Sequence, residues 1–168
     1  TERCEMAANK TLDHDGATVL WCELNAEADR LVKEIPGSKQ IKGSMPDEKK
    51  EELLQAFTTG ELRHLVTKPK IGCWGLNWQH CNHTTYFPTY SYEQYYQAIR
   101  RFWRFGQKRN VFVDLILSDG QTRIMESLLV KKDKAVSMFE NLTKQTNSDF
   151  KIDKKDFNKI IQLPNFLK

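Results

Sequence analysis

No apolar run in the 168-residue chain approaches the roughly 20 residues that a membrane-spanning helix needs, and no signal-peptide pattern opens it. A helical membrane anchor is thereby excluded within this sequence, and no membrane partner is expected. Charge of one sign is not in marked excess: 26 Lys and Arg stand against 22 Asp and Glu, a net +4. That balance does not by itself argue for a polyanionic partner. A phosphate-cradling G-x-x-x-x-G-K-[ST] loop is missing, as is an Asp-Glu pair at a predicted strand end to hold Mg²⁺. Cysteine is sparse, with Cys4, Cys22, Cys73 and Cys81, and nothing implies an oxidising compartment. The thiols are read as reduced, in a cytoplasmic protein or, in a eukaryote, a nuclear one. Cys73, His80, Cys81 and His83 lie close together, but they lack the C-x₂₋₄-C and H-x₃₋₅-H pairs of zinc sites, so no metal is assigned.

What is present reads as a globular domain, 39% hydrophobic and 29% charged. The chain opens with Thr rather than Met, so it is expected to be a piece of something longer. Ala17–Cys22 is a short β-rich apolar run, the mark of a strand covered on both faces. Asn25 is placed to cap a helix through Ile35, with Ala28, Leu31, Val32 and Ile35 as its buried stripe and Pro36-Gly37 as its stop. A brief strand over Lys39–Lys42 follows. A helix opened by Ser44, Asp47 and Glu48 then runs to about Phe57. Further strands are predicted over Leu62–Thr67, Thr84–Phe87 and Val111–Leu117, the last being the clearest. Ser91 with Gln94 starts a helix between them. A turn at Ser118-Asp119-Gly120 leads to a long helix from Thr122 to about Thr143. Strands alternating with helices imply an α/β domain with a mostly parallel sheet and ligands at the carboxyl ends of the strands. The domain is drawn over residues 1–143. A turn-like break at Asn147-Ser148-Asp149 lies within a short basic appendage, 144–168, where Asp153 can cap a helix holding Phe157, Ile160 and Ile161.

Charge is concentrated in one place. Between Gln94 and Asn110 lie Arg100, Arg101, Arg104, Lys108 and Arg109, with no acid among them. If the helix begun at Ser91 continues, Gln97, Arg101 and Arg104 share one face at i, i+4 and i+7. Tyr95, Ile99, Phe102 and Trp103 then pack on the other. Forked, permanently charged guanidiniums on an anchored helix suit the charge that develops in phosphoryl transfer. The tyrosines from Tyr86 to Tyr96 are read mostly as packing and helix entry, not as a base-stacking platform.

The run Gln97-Ala98-Ile99-Arg100-Arg101-Phe102-Trp103-Arg104-Phe105-Gly106-Gln107 resembles motif VI of superfamily 2 helicases, most closely the Swi/Snf-like branch. Its pattern Q-A-I-x-R-x-x-R-x-G-Q is matched at Gln97, Ala98, Ile99, Arg101, Arg104, Gly106 and Gln107. The resemblance implies that Arg104 is an arginine finger and Arg101 its companion, both reaching the ATP γ-phosphate across a cleft between two RecA-like domains. Gln97 goes with them on the nucleotide side, and Arg100 is given no role in ATP chemistry. Thr67–Asn77 resembles motif V, with Pro69-Lys70 inserted and Cys73 in place of a glycine. It implies Gly75 and Asn77 on the ATP side, and Thr67 and Lys68 on the strand-binding side. Val19–Leu31 resembles motif IV. The stretch Ile41-Lys42-Gly43-Ser44 resembles the next strand-end loop, which implies that Lys42 and Gly43 contact nucleic-acid phosphates.

The motifs occur in family order over roughly Ala17–Leu117. They imply a RecA-like three-layer domain, the second (C-terminal) lobe of an ATP-dependent DNA helicase or translocase. Its implied partners are single- or double-stranded DNA and the N-terminal RecA-like lobe, which in the family carries the phosphate loop and most of the contacts to ATP with Mg²⁺. The lobe alone is expected to be inactive and to bind DNA weakly, with strong salt dependence. The other reading is a non-catalytic RecA-like module binding nucleic acid or a partner. The two arginines favour the motor, and a phosphate loop upstream in the parent gene distinguishes the two.

Overall fold

The structure, a computed structural model, describes residues 2–72, 77–118 and 120–149. Along the chain run α1 (Glu2–Leu12), β1 (Thr18–Trp21), α2 (Asn25–Glu34), β2 (Lys39–Gln40), α3 (Asp47–Thr59), β3 (His64–Thr67), α4 (Pro69–Gly72), β4 (His83–Tyr86), α5 (Tyr92–Ile99), β5 (Phe112–Leu115) and α6 (Thr122–Asp149). The five strands form one sheet in the order β2-β3-β1-β4-β5, and every pairing among them is parallel. This is the α/β architecture expected from the strand–helix alternation.

The central strands β1, β3 and β4 are buried along their whole length. Side chains of a strand alternate between its two faces, and here both are covered. Val19, Trp21 and Leu65 pack with Phe57 of α3, Ala98 of α5 and Phe102. Leu20 and Val66 pack with Cys4, Ala7 and Ala8 of α1 and with Ala28 and Leu31 of α2. Helix α1 was not anticipated. Its buried stripe of Cys4, Ala7, Ala8 and Thr11 has helical spacing, but the residues are small.

Three expectations need correction. Asn25 is the first residue of α2 and makes no side-chain cap. Instead the Glu27 carboxylate accepts the N–H groups of Glu23 (3.1 Å) and Leu24 (3.0 Å) while pairing with Arg3. That buried carboxylate reaches back to the N-cap backbone, the second half of a capping box. Similarly, α3 begins at Asp47 behind Pro46, not at Ser44. The strand predicted at Val111–Leu117 is present as β5, the sheet edge, and Phe112 there is exposed. Helix α6 continues through Asn147 and Ser148, where a turn was expected. The chain divides into two compact units, Thr1–Leu129 and Val130–Lys168. In the second, Met138, Phe139 and Leu142 stand exposed on the helix. Asp119, Asp153, Phe157, Ile160 and Ile161 lie outside the described residues.

One polar cluster lies on the same side of the sheet as α1. Thr18, His64 and His83 open their strands, and Asp114 comes from the edge strand β5. His83 Nε2 is 2.9 Å from Asp114 Oδ2 and its Nδ1 is 3.2 Å from Thr18 Oγ1, and the His14 ring lies 4.6 Å from that of His83. Burial and the Arg63 charge push the His64 imidazole down to about 4.

Candidate functional site

The predicted functional residues fall into two places. The first is the turn after α5. Ser91 caps that helix as its sequence pattern predicts, accepting the Gln94 N–H at 3.3 Å. The helix then stops at Ile99, so Arg101 and Arg104 do not extend a helical face shared with Gln97. In a continuing helix the carbonyls of Arg101 and Phe102 would accept the N–H groups of residues 105 and 106. Both are engaged elsewhere. The Trp78 N–H donates to the Arg101 carbonyl at 3.0 Å, and Gln107 Nε2 donates to the Phe102 carbonyl at 3.2 Å. Gly106, with φ +96°, then turns the chain back. The unwinding also re-sorts the aromatics. Phe102 is fully buried against Trp21 and Trp78, while Trp103, expected on the packed side, is 61% exposed.

Gln107 is the fastener of this turn. Its Nε2 also donates to the carbonyls of Gln79 (3.0 Å) and Cys81 (3.4 Å), and its Oε1 accepts the Arg109 N–H at 3.1 Å. Gln79 in turn donates to the Phe105 carbonyl, and Arg109 to the carbonyl of His80. Motif matching included Gln107, but its structural task was not read from the sequence. These bonds tie the arginine turn to the segment entering β4. Arg104 is exposed, and its side chain makes no hydrogen bond or ion pair among the described residues. Asn77 is an exposed neighbour of Trp78, so it lies beside the turn. Gln97 is exposed on α5, its Nε2 3.1 Å from Glu93 Oε1. Gly75 lies outside the described residues, as does Cys73.

The second place is the carboxyl edge of β2 and β3. The Ile41 N–H donates to the Val66 carbonyl at 2.9 Å, which sets Lys42 and Gly43 beside the end of β3. Lys42 Nζ is 2.9 Å from Asp29 Oδ1, and Gln40 and Lys42 together hold that carboxyl below its ordinary range. A cavity of about 620 Å³ opens here between Gly43, Lys50 and Leu54 on one side and Lys70 and Ile71 on the other. Thr67 is buried and its carbonyl accepts the Cys22 N–H at 3.0 Å, whereas Lys68 is half-buried. Burial pushes the Cys22 thiol up to about 12, with the Lys68 charge opposing.

Of the four zinc-competent residues, the described ones, His80, Cys81 and His83, have other partners. Cys81 is buried and donates to the carbonyls of Ala17 and His83, and the His80 ring packs on Phe57 at 5.0 Å. Among the described residues, no three His, Cys, Asp or Glu side chains are grouped to hold a metal ion.

No curated protein sequence matches the chain. A solved structure described as the "C-terminal part of Fun30 ATPase domain" is similar in fold, with a TM-score of 0.61 at 15% identity. The match covers 70% of this chain and 40% of that one, so this chain spans well under half of that ATPase piece. The family model described as "Helicase conserved C-terminal domain" matches residues 4–106, from α1 through the glycine of the arginine turn. This chain therefore belongs to the helicase conserved C-terminal domain family.

Proposed function

We propose that the chain is the second motor lobe of an ATP-dependent DNA helicase or translocase, with Arg104 as its arginine finger and Arg101 as companion. The observation that carries this is the arginine turn, an exposed guanidinium on a segment fixed by Gln107 and by the Trp78 N–H. A planar fork held in place costs little reorganisation when charge develops on a transferring phosphoryl group. Arginine fingers contribute about 10³–10⁵ in kcat. In this reading the N-terminal lobe holds ATP with Mg²⁺, while Gln97, Gly75 and Asn77 complete the nucleotide side from this lobe.

The nucleic-acid track runs at the other place, over Lys42, Gly43, Thr67 and Lys68. Charge and backbone donors suffice for phosphate contacts, which position a strand without reading its sequence. The ion pair of Lys42 with Asp29 means that strand binding there exchanges one carboxylate for a phosphate.

The test is complementation. The chain alone is expected to hydrolyse no ATP, and joining it to the N-terminal lobe of its parent protein should give DNA-stimulated hydrolysis. A joined protein that binds ATP and DNA but hydrolyses nothing contradicts the motor reading and favours a non-catalytic module.

A further inference from the structure

We propose that Tyr96, Arg100 and Trp103 form a nucleobase-stacking platform for single-stranded nucleic acid, separate from the phosphate track at the ends of β2 and β3. The three side chains form a ladder on the surface. The Arg100 guanidinium lies 6.0 Å from the Tyr96 ring centroid and 5.7 Å from that of Trp103, within cation–π range. Tyr92 adds a ring at 6.1 Å from Tyr96. These rings are not core. Tyr96 is 44% exposed and Trp103 61%. The tyrosines that do pack are Tyr86, fully buried, and Tyr95, set against it at 5.3 Å.

The chemistry of the surroundings selects the partner. Trp103 borders a cavity of about 510 Å³, a size that suits a small organic group. Arg104, Lys108 and Arg109 line it, and no acid does. The closest acid along the helix, Glu93, is engaged with Gln97. An aromatic face beside clustered cations matches a base joined to phosphates. In a duplex the base faces are already stacked on one another, so the match is to a single strand. Lys108 is assigned the phosphate contact and Trp103 the base.

The proposal deepens the nucleic-acid half of the function above and does not depend on hydrolysis. The test measures binding of the 168-residue chain, without nucleotide, to oligo(dT) and to an equally long strand of abasic spacers. Native chain should bind oligo(dT) roughly tenfold tighter or more, the increment expected for one stacked base. Trp103→Leu should remove that difference and leave the affinity for the abasic strand unchanged. Tyr96→Leu should reduce the difference in the same way. Because both rings are exposed, neither change should disturb folding, which a urea transition checks. Equal affinity of the native chain for the two strands overturns the platform while leaving the phosphate track intact. Equal loss on both strands in Trp103→Leu also overturns it. Displacement of oligo(dT) by an equal nucleotide concentration of ATP would assign the cavity to the free nucleotide and overturn the commitment to a strand. Failure to bind either strand contradicts the platform and the nucleic-acid track together.

Discussion

Replacing Gln107 by Leu removes the fastener of the arginine turn at nearly constant size. Three carbonyls, those of Gln79, Cys81 and Phe102, lose their side-chain donor, and the Arg109 N–H loses its acceptor. One amide nitrogen carries two hydrogens, so two of the three carbonyl contacts count at full strength. A typical hydrogen bond contributes about 1 kcal/mol net, and a buried group left unpaired costs about 1–3. Gln107 is half-buried, so water repairs part of the damage. The expected destabilisation is about 2 kcal/mol, or roughly 4–8 °C in Tm for a domain of this size. In urea, the midpoint should fall with the slope unchanged. In the joined two-lobe protein, loosening of Arg101 and Arg104 should lower kcat by about 10², the cost of misplacing a reacting group, with nucleotide-free DNA affinity preserved. A variant within about 0.5 kcal/mol of native stability would refute the fastening argument. So would a destabilised variant with normal kcat.

Three further outcomes follow from the same geometry. His64 has its imidazole pushed from 6.5 to about 4, so the folded state resists a proton that the unfolded chain accepts. Stability is therefore full above pH 6.5 and falls by about 3 kcal/mol as pH drops toward 4. His64→Gln should flatten that part of the pH profile in urea titrations, and an unchanged slope would contradict it. Phe102→Ala should cost about 3–5 kcal/mol because the ring is fully buried, whereas Trp103→Ala should stay within about 0.5. If the neighbours exchange these costs in thermal melts, the helix does not end where described. Lys42→Ala and Lys68→Ala should each reduce the salt slope of DNA binding by about one, and an unchanged slope removes that lysine from the track.

The elements whose signals are local were legible in the sequence. Ser91 caps α5 through Gln94, and the apolar run at β1 marks a strand covered on both faces. The turn after α5 was not, because distant donors hold it. The Trp78 N–H takes the Arg101 carbonyl, and no periodicity within 97–107 records that. Motif order named Arg101 and Arg104, but the helical-face argument placed them on a surface that does not exist. The first turn of α2 shows the same limit, since Glu27 outcompetes Asn25 through Arg3, from another helix. In α6 the weak helix formers Asn147 and Ser148 cost only tenths of a kcal/mol each, too little to end a long helix.

The central claim, that Arg104 acts on the transferring phosphoryl group, is tested most directly by steady-state ATP hydrolysis of the joined two-lobe protein at saturating DNA. Arg104→Ala should lower kcat by about 10³ or more, with nucleotide-free DNA affinity nearly unchanged, and Arg104→Lys should rescue little because the fork is lost. Arg101→Ala should be impaired similarly, and Arg100→Ala should hydrolyse ATP almost normally. A crippled Arg100→Ala beside an active Arg104→Ala would contradict the account.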